Sequence, residues 1–104
     1  MKQYIVDITD DALADMEQLY YYIALKLQAP DNALGQYNRI ADAIMTLDNM
    51  PERYPIMDSK PEQSRGLRLM PIDNYSVIYI VKDDRVIVTN VLYSASNIQL
   101  RLKK

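Results

Sequence analysis

The chain has 104 residues, of which 49% are apolar and 25% charged, with a net charge of −2 and an isoelectric point near 4.9. This composition is typical of one globular domain, and it excludes both a strongly basic nucleic-acid binder and a membrane span of about 18 apolar residues. Cysteine and histidine are absent, which excludes disulfides and thiolate or imidazole metal sites. We therefore expect no cofactor, no metal, no signal peptide and a cytoplasmic location.

The charge is divided unevenly along the chain. Residues 1–50 contain three basic and eight acidic residues, a balance of −5, whereas residues 51–104 contain nine basic and six acidic residues, a balance of +3. The two halves of the folded domain are therefore expected to carry opposite charge.

The first half predicts a strand followed by two helices. Residues 3–8 alternate as a short β-strand. Thr9 stands where a helix N-cap belongs, and Asp10 and Asp11 follow in the first turn. Apolar residues at spacings of three and four then predict two amphipathic helices, separated near Pro30, which form an antiparallel hairpin. Their predicted core stripes are Leu13, Met16, Tyr20, Ile23 and Leu27 in the first helix, and Ala33, Tyr37, Ile40, Ile44 and Leu47 in the second.

The second half predicts an irregular loop and three strands. Residues 49–64 contain three prolines and no steady period, which predicts a long loop. Strands are predicted over residues 65–70, 75–81 and 85–93, with turns at 71–74 and 82–84 and a short tail over 94–104. Both faces of the strand over 75–81 are apolar, which indicates a central strand that is covered on both sides.

The ordered combination of these segments resembles the RelE/ParE superfamily of bacterial type II toxins over nearly the whole chain. The resemblance rests on Tyr4, Thr9, Pro30 and the segments 22–24 (YIA), 47–55 (LDNMPERYP), 66–68 (GLR), 75–79 (YSVIY) and 91–93 (VLY). It implies a single α+β domain in which a small twisted antiparallel sheet, with the N-terminal strand at one edge, packs on a helical hairpin. It also implies a growth-inhibiting toxin, of the kind found in plasmid-stabilisation modules, that a cognate antitoxin neutralises.

The resemblance implies two mechanisms. In the leading one, the toxin is an mRNA interferase, an endoribonuclease that cuts messenger RNA on the ribosome without a metal. In the alternative, the toxin is a non-enzymatic inhibitor of DNA gyrase, or a decayed toxin that only binds its antitoxin. Partners are accordingly the antitoxin with either the ribosome and messenger RNA or gyrase, and a homodimer or a heterotetramer with antitoxin is compatible with both.

Candidate catalytic residues follow from the nuclease mechanism, which needs a base, a cation and an acid. Arg68 matches the arginine that RelE-like toxins carry on this strand and would stabilise the phosphate, with Arg65 close by. Tyr93 matches a position near the end of the last strand and would protonate the leaving group. The base is the weakest assignment, because no histidine is available and Glu62, in the long loop beside Lys60, is the nearest candidate.

The face of the first helix opposite its core stripe predicts the antitoxin-binding surface. Successive helical residues turn by about 100°, which places Tyr21 and Leu25 on the outer side and Tyr22 on a flank. Exposed apolar side chains in a group indicate an interaction surface.

Overall fold

The computed structural model describes residues 2–58, 63 and 65–95. In chain order the main elements are β1 (Ile5–Ile8), α1 (Asp10–Tyr21), α2 (Pro30–Met45), β2 (Arg68–Ile72), β3 (Tyr75–Lys82) and β4 (Arg85–Tyr93). A π-helical segment, Tyr22–Lys26, extends α1, and two 3₁₀ turns follow α2 at Thr46–Asp48 and Pro51–Arg53. Glu62 and Lys60, and the tail from residue 96 onward, lie outside the described residues.

The four strands form one sheet in the order β1-β4-β3-β2. β1 is parallel to β4 and lies at an edge, whereas β2, β3 and β4 are an antiparallel meander. The α1–α2 hairpin connects β1 to the rest of the sheet, and the predicted α+β architecture is confirmed.

Both faces of the sheet are covered by apolar side chains, and the central strand β3 contributes to each face. The helices cover one face, and the buried side chains there include Met16, Leu19, Ile40, Ile44, Val77 and Tyr79. On the other face a smaller cluster of Leu67, Ile78 and Leu92 packs with Met57 of the long loop. The predicted burial of β3 on both sides is confirmed.

The predicted core stripe of α1 was partly wrong. Leu13 and Leu27 are 40% and 57% exposed, while Ala12 is fully buried. The stripe instead follows Ala12, Met16 and Leu19 and continues into half-buried Ile23, about 100° from the position of Leu13. The small side chain of Ala12 lets the helix approach the sheet closely, and a search for large apolar residues overlooks it. The switch to π-helical geometry at Tyr22 shifts the later side chains and leaves Leu27 outside the core.

The limits of β2 were also wrong. The strand begins at Arg68 rather than residue 65 and continues through Pro71, which was predicted to be in the turn. Proline is tolerated there because β2 is an edge strand. On the outer side of an edge strand the backbone N–H groups have no neighbouring strand to bond, so a missing N–H breaks no hydrogen bond of the sheet. The turns that follow β2 and β3 contain two residues each, and Asp73 and Asp83 have positive φ angles of 53° and 57°, as tight hairpin turns require.

The helix boundaries follow local chemistry. The Thr9 hydroxyl accepts a hydrogen bond of 3.1 Å from the backbone N–H of Ala12, so the predicted N-cap is confirmed. Pro30 is the first residue of α2, where its missing N–H costs nothing. No helix in the described part of the chain is long and apolar enough to cross a membrane.

Candidate protein-binding groove

A groove of about 880 Å³ opens between the tip of the helical hairpin and the end of the meander. Three parts of the fold contribute its polar lining: α1 with its π-helical extension, α2 from Asp31 to Arg39, and the turn and strands around Tyr75. The residues that characterise it are Asp15, Tyr22, Asp31, Arg39, Tyr75 and Tyr93. The groove thus combines aromatic rings and carboxylates on an apolar floor that includes Leu19 and Ile23.

One wall is fixed by a carboxylate of α1 that bonds to the backbone of β4. The Oδ2 atom of Asp15 accepts a hydrogen bond of 2.9 Å from the N–H of Val91 and a longer one, 3.4 Å, from the side-chain amide of Asn90. β1 pairs with β4 only as far as Val88, so beyond that point an α1 side chain occupies the edge of β4. This contact holds the helix at a set distance from the end of the strand.

The opposite wall is fixed by a polar cluster around the turn between β2 and β3. The carboxylate of Asp73 accepts hydrogen bonds of 2.9 Å from both the Nε of Arg39 and the side-chain amide of Gln36 on α2. These donors, the arginine first, hold the pKa of the Asp73 carboxyl below its ordinary value of 3.8. The positive charge of Arg39 is therefore already balanced within the chain.

Three tyrosines lie together at the mouth of the groove. The rings of Tyr75 and Tyr93 are 5.8 Å apart in an edge-on arrangement. Burial raises the pKa of the Tyr75 phenol, and the neighbouring phenols of Tyr93 and Tyr22 raise it further. The Tyr75 phenol is therefore neutral at physiological pH, and the three tyrosines together give the groove an aromatic lining.

Arg68 lies outside this groove and is engaged by the chain itself. Its guanidinium donates a hydrogen bond of 2.6 Å to the carbonyl of Tyr54 and one of 3.3 Å to that of Glu52. The Glu52 carboxylate is 3.9 Å away, and only 14% of the arginine side chain is exposed. Beside it, the Tyr79 hydroxyl donates a bond of 2.6 Å to the carbonyl of Pro51, and burial raises the pKa of Tyr79 to about 12. These bonds attach the segment 51–54 to the sheet.

The predicted catalytic residues are not brought together. Arg68 pairs with Tyr79 in the middle of β3, whereas Tyr93 pairs with Tyr75, the first residue of that strand. The four residues from Arg68 to Ile72 span roughly 13 Å, and two strand spacings add about 10 Å across the sheet. Arg65 is exposed in the turn before β2, and Glu62 lies outside the described residues.

Comparison with known protein families identifies the family to which this sequence belongs. The family described as the ParE toxin of type II toxin–antitoxin systems, parDE, matches residues 6–98. The chain belongs to the ParE toxin family. It is thus a toxin of a type II toxin–antitoxin system, and the resemblance to the RelE/ParE superfamily is confirmed.

Solved structures share the fold of this ParE-family toxin at low sequence identity. A chain of the chromosomal ParDE toxin–antitoxin system from P. aeruginosa is 20% identical, with a TM-score of 0.70 over 88% of this chain and 96% of that one. A chain of the RelBE2 toxin–antitoxin complex from Mycobacterium tuberculosis is 17% identical, with a TM-score of 0.63 over 88% and 98% of the two chains. No curated protein matched the sequence.

The residues that were predicted to bind an antitoxin are exposed in this ParE-family fold. Tyr21, Tyr22 and Leu25 are 57%, 55% and 70% exposed. Tyr22 lines the groove, whereas Tyr21 and Leu25 lie beside it on the outer surface of the hairpin. Their role in binding stays a prediction.

Sequence reasoning missed Asp15, Asp31 and Tyr75 as groove residues. For Asp15 a signal was present, because aspartate is unfavourable in a helix interior and here directly precedes buried Met16. Such a residue often accepts a hydrogen bond from another element. Asp31 and Tyr75 carried no comparable signal, because a first-turn aspartate and a strand tyrosine each have an ordinary local explanation.

Proposed function

We propose that this ParE-family toxin arrests growth by binding a protein target without catalysis, that DNA gyrase is the target, and that an antitoxin polypeptide neutralises the toxin. The observation that carries the proposal is the engagement of Arg68, the only arginine assigned to a phosphate, by the backbone carbonyls of Tyr54 and Glu52. A guanidinium that bonds the segment 51–54 in this way, with only 14% of its side chain exposed, contributes to the fold and presents little surface to a substrate.

Cleavage of messenger RNA, the leading mechanism in the sequence analysis, has less support. The phosphate-binding cation and the acid must act on the same phosphodiester. However, Arg68 and Tyr93 lie on the two strands that flank β3, and their partners on β3, Tyr79 and Tyr75, are four residues apart. A phenol is also a weak base at neutral pH. The acidic charge of the helical half adds to this, because contacts with phosphate provide much of the affinity for RNA.

An antitoxin partner is supported by two observations. The two solved structures described above come from toxin–antitoxin systems, and the tip of the helical hairpin leaves a group of large apolar side chains exposed beside an open groove. A polypeptide that packs on the hairpin and enters the groove would cover both surfaces.

Two assays with purified components test the mechanism. The first measures DNA supercoiling by gyrase, and the second measures cleavage of messenger RNA in a reconstituted translating ribosome. Each assay is run with the toxin alone and with toxin that has been premixed with its cognate antitoxin. We expect inhibition of supercoiling by the toxin alone and intact messenger RNA in both mixtures.

The alternatives give distinct results. Cleavage of ribosome-bound messenger RNA with unaffected gyrase would establish the nuclease mechanism and refute the proposal. Activity in neither assay, with retained antitoxin binding, would identify a decayed toxin.

A further inference from the structure

The groove carries a negative charge that the described residues do not balance. Arg39, the basic residue among those that line it, is paired with Asp73. Asp15 and Asp31 line the same groove, and neither forms an ion pair within 4.0 Å with any other residue that the structure describes. Asp15 uses Oδ2 for the backbone N–H of Val91, so its Oδ1 is the atom that remains for a ligand.

The aromatic lining favours the same kind of ligand. Tyr22, Tyr75 and Tyr93 line the groove together, and their phenols are close enough for Tyr93 and Tyr22 to act electrostatically on Tyr75. The face of an aromatic ring attracts a cation, and the attraction grows as the cation loses water. A concave site that combines tyrosine rings with carboxylates is therefore suited to a positively charged group.

We propose that the groove binds a cationic side chain, arginine in preference to lysine, from the antitoxin polypeptide, with Asp15 and Asp31 as the carboxylate partners and Tyr22, Tyr75 and Tyr93 as the aromatic wall. The proposal rests on the antitoxin partner of the proposed function, and it adds the chemistry by which that partner is recognised. Arginine is preferred because its planar guanidinium stacks on an aromatic ring and bonds a carboxylate through two parallel N–H groups. The apolar floor at Leu19 and Ile23 accommodates the methylene stem.

The negative charge of the helical half also favours a cationic ligand. The helical half, which forms most of the groove, has the balance of −5 counted over residues 1–50. A partner with basic residues would be attracted to this half, and the attraction would weaken as salt screens it.

The site is tested directly with small probes that need neither gyrase nor antitoxin. N-acetyl-arginine methylamide is titrated into the protein at constant ionic strength, and the ring signals of the tyrosines are followed by NMR. N-acetyl-citrulline methylamide, which has nearly the same shape and no charge, is the control probe. We expect arginine to shift the signals of Tyr22, Tyr75 and Tyr93 and citrulline to shift them little. Equal shifts with both probes, or none with either, would overturn the proposal.

Matched variants locate the charge. Asp31→Asn and Asp11→Asn each remove a carboxylate from the first turn of a helix, but only the former removes one from the groove. We expect Asp31→Asn to lower the affinity for the arginine probe about fivefold, the effect of a partly exposed ion pair. Asp11→Asn should leave this affinity unchanged. Asp15→Asn keeps an oxygen that accepts the hydrogen bond from the N–H of Val91, and it should also lower the affinity for the arginine probe.

A second experiment measures binding of the cognate antitoxin to variants of the toxin. The affinity of the antitoxin should fall about tenfold or more in the double variant Asp15→Asn plus Asp31→Asn, and this loss should shrink at high salt. Replacement of Tyr22 by leucine should weaken binding. The control for general loss of apolar surface is Met45→Ala, because Met45 is 54% exposed and lines neither the groove nor the predicted binding face of the first helix. An unchanged antitoxin affinity in the folded double variant would refute the assignment of the partner. None of these results depends on whether gyrase is the target, so the two proposals can fail separately.

Discussion

Replacement of Arg68 by alanine should destabilise this toxin rather than remove a catalytic group from an intact fold. The side chain is 14% exposed and donates to two backbone carbonyls, the shorter bond being 2.6 Å. Hydrogen bonds from a charged donor contribute about 1.5–3 kcal/mol. The Tyr54 carbonyl is partly buried, so the loss of its donor adds part of the cost of an unsatisfied acceptor. The ion pair with Glu52 adds little, because the separation is 3.9 Å and the carboxylate side chain is 63% exposed.

We therefore expect Arg68→Ala to lower the free energy of unfolding by about 2–3 kcal/mol, measured by urea denaturation with circular dichroism. For a domain of this length the corresponding fall in Tm is roughly 10–20 °C. The matched control is Arg85→Ala, which removes an arginine whose 2.7 Å ion pair with Asp7 is about half exposed and should cost less than about 1 kcal/mol. If Arg68→Ala unfolds within about 0.5 kcal/mol of the wild type and abolishes toxicity, the structural interpretation is wrong and the arginine acts on a ligand.

Three further predictions concern contacts of single side chains, and a fourth concerns the predicted antitoxin-binding face. Tyr79→Phe should lower the free energy of unfolding by about 1–2 kcal/mol. In the wild type, stability should fall as the pH rises from about 10, where the phenol ionises in the unfolded chain, to about 12, its pKa in the folded protein. Urea titrations across this pH range should show that Tyr79→Phe removes this fall. Thr9→Ala should cost about 1 kcal/mol in the same assay at neutral pH, because the N-cap bond is lost. The lowered pKa of Asp73 means that its contribution is present above its ordinary pKa of 3.8 and declines as the pH falls below it; Asp73→Asn should flatten this part of an acid-unfolding curve. The double variant Tyr21→Glu plus Leu25→Glu should weaken antitoxin binding at least tenfold in calorimetry, and unchanged affinity in a folded protein would contradict the predicted binding face.

The parts of this fold that could be predicted from the sequence are those whose pattern is local. The limits of β4 and the apolar stripe of α2 agree with the structure, because alternation and helical spacing each report a buried face directly. The end of β2 could not be read in this way, because proline normally marks a turn and is tolerated here only since the strand lies at an edge.

The candidate site was less predictable, because its residues meet only after folding. The groove joins Asp15 and Tyr22 of the first helix, Asp31 of the second, and Tyr93 near the end of β4, and no spacing rule connects these positions. The engagement of Arg68 by the segment 51–54 was hidden for the same reason, since the sequence does not show which backbone carbonyls return to meet a given arginine.

The contacts at the start of α1 also protect the sheet against self-association. Thr9 bonds through its N–H to the carbonyl of Val88 and through its hydroxyl to that of Thr89, and Asp15 bonds to the N–H of Val91. Backbone groups on the edge of β4 beyond β1 are thus occupied by the beginning of a helix, where an unpaired strand edge would act as a template for another chain. A polypeptide that adds a strand at this edge must first displace the carboxylate of Asp15. Removal of the side-chain oxygen that holds this N–H, as in Asp15→Ala, would therefore make the toxin more prone to aggregate, whereas Asp15→Asn would keep the edge covered.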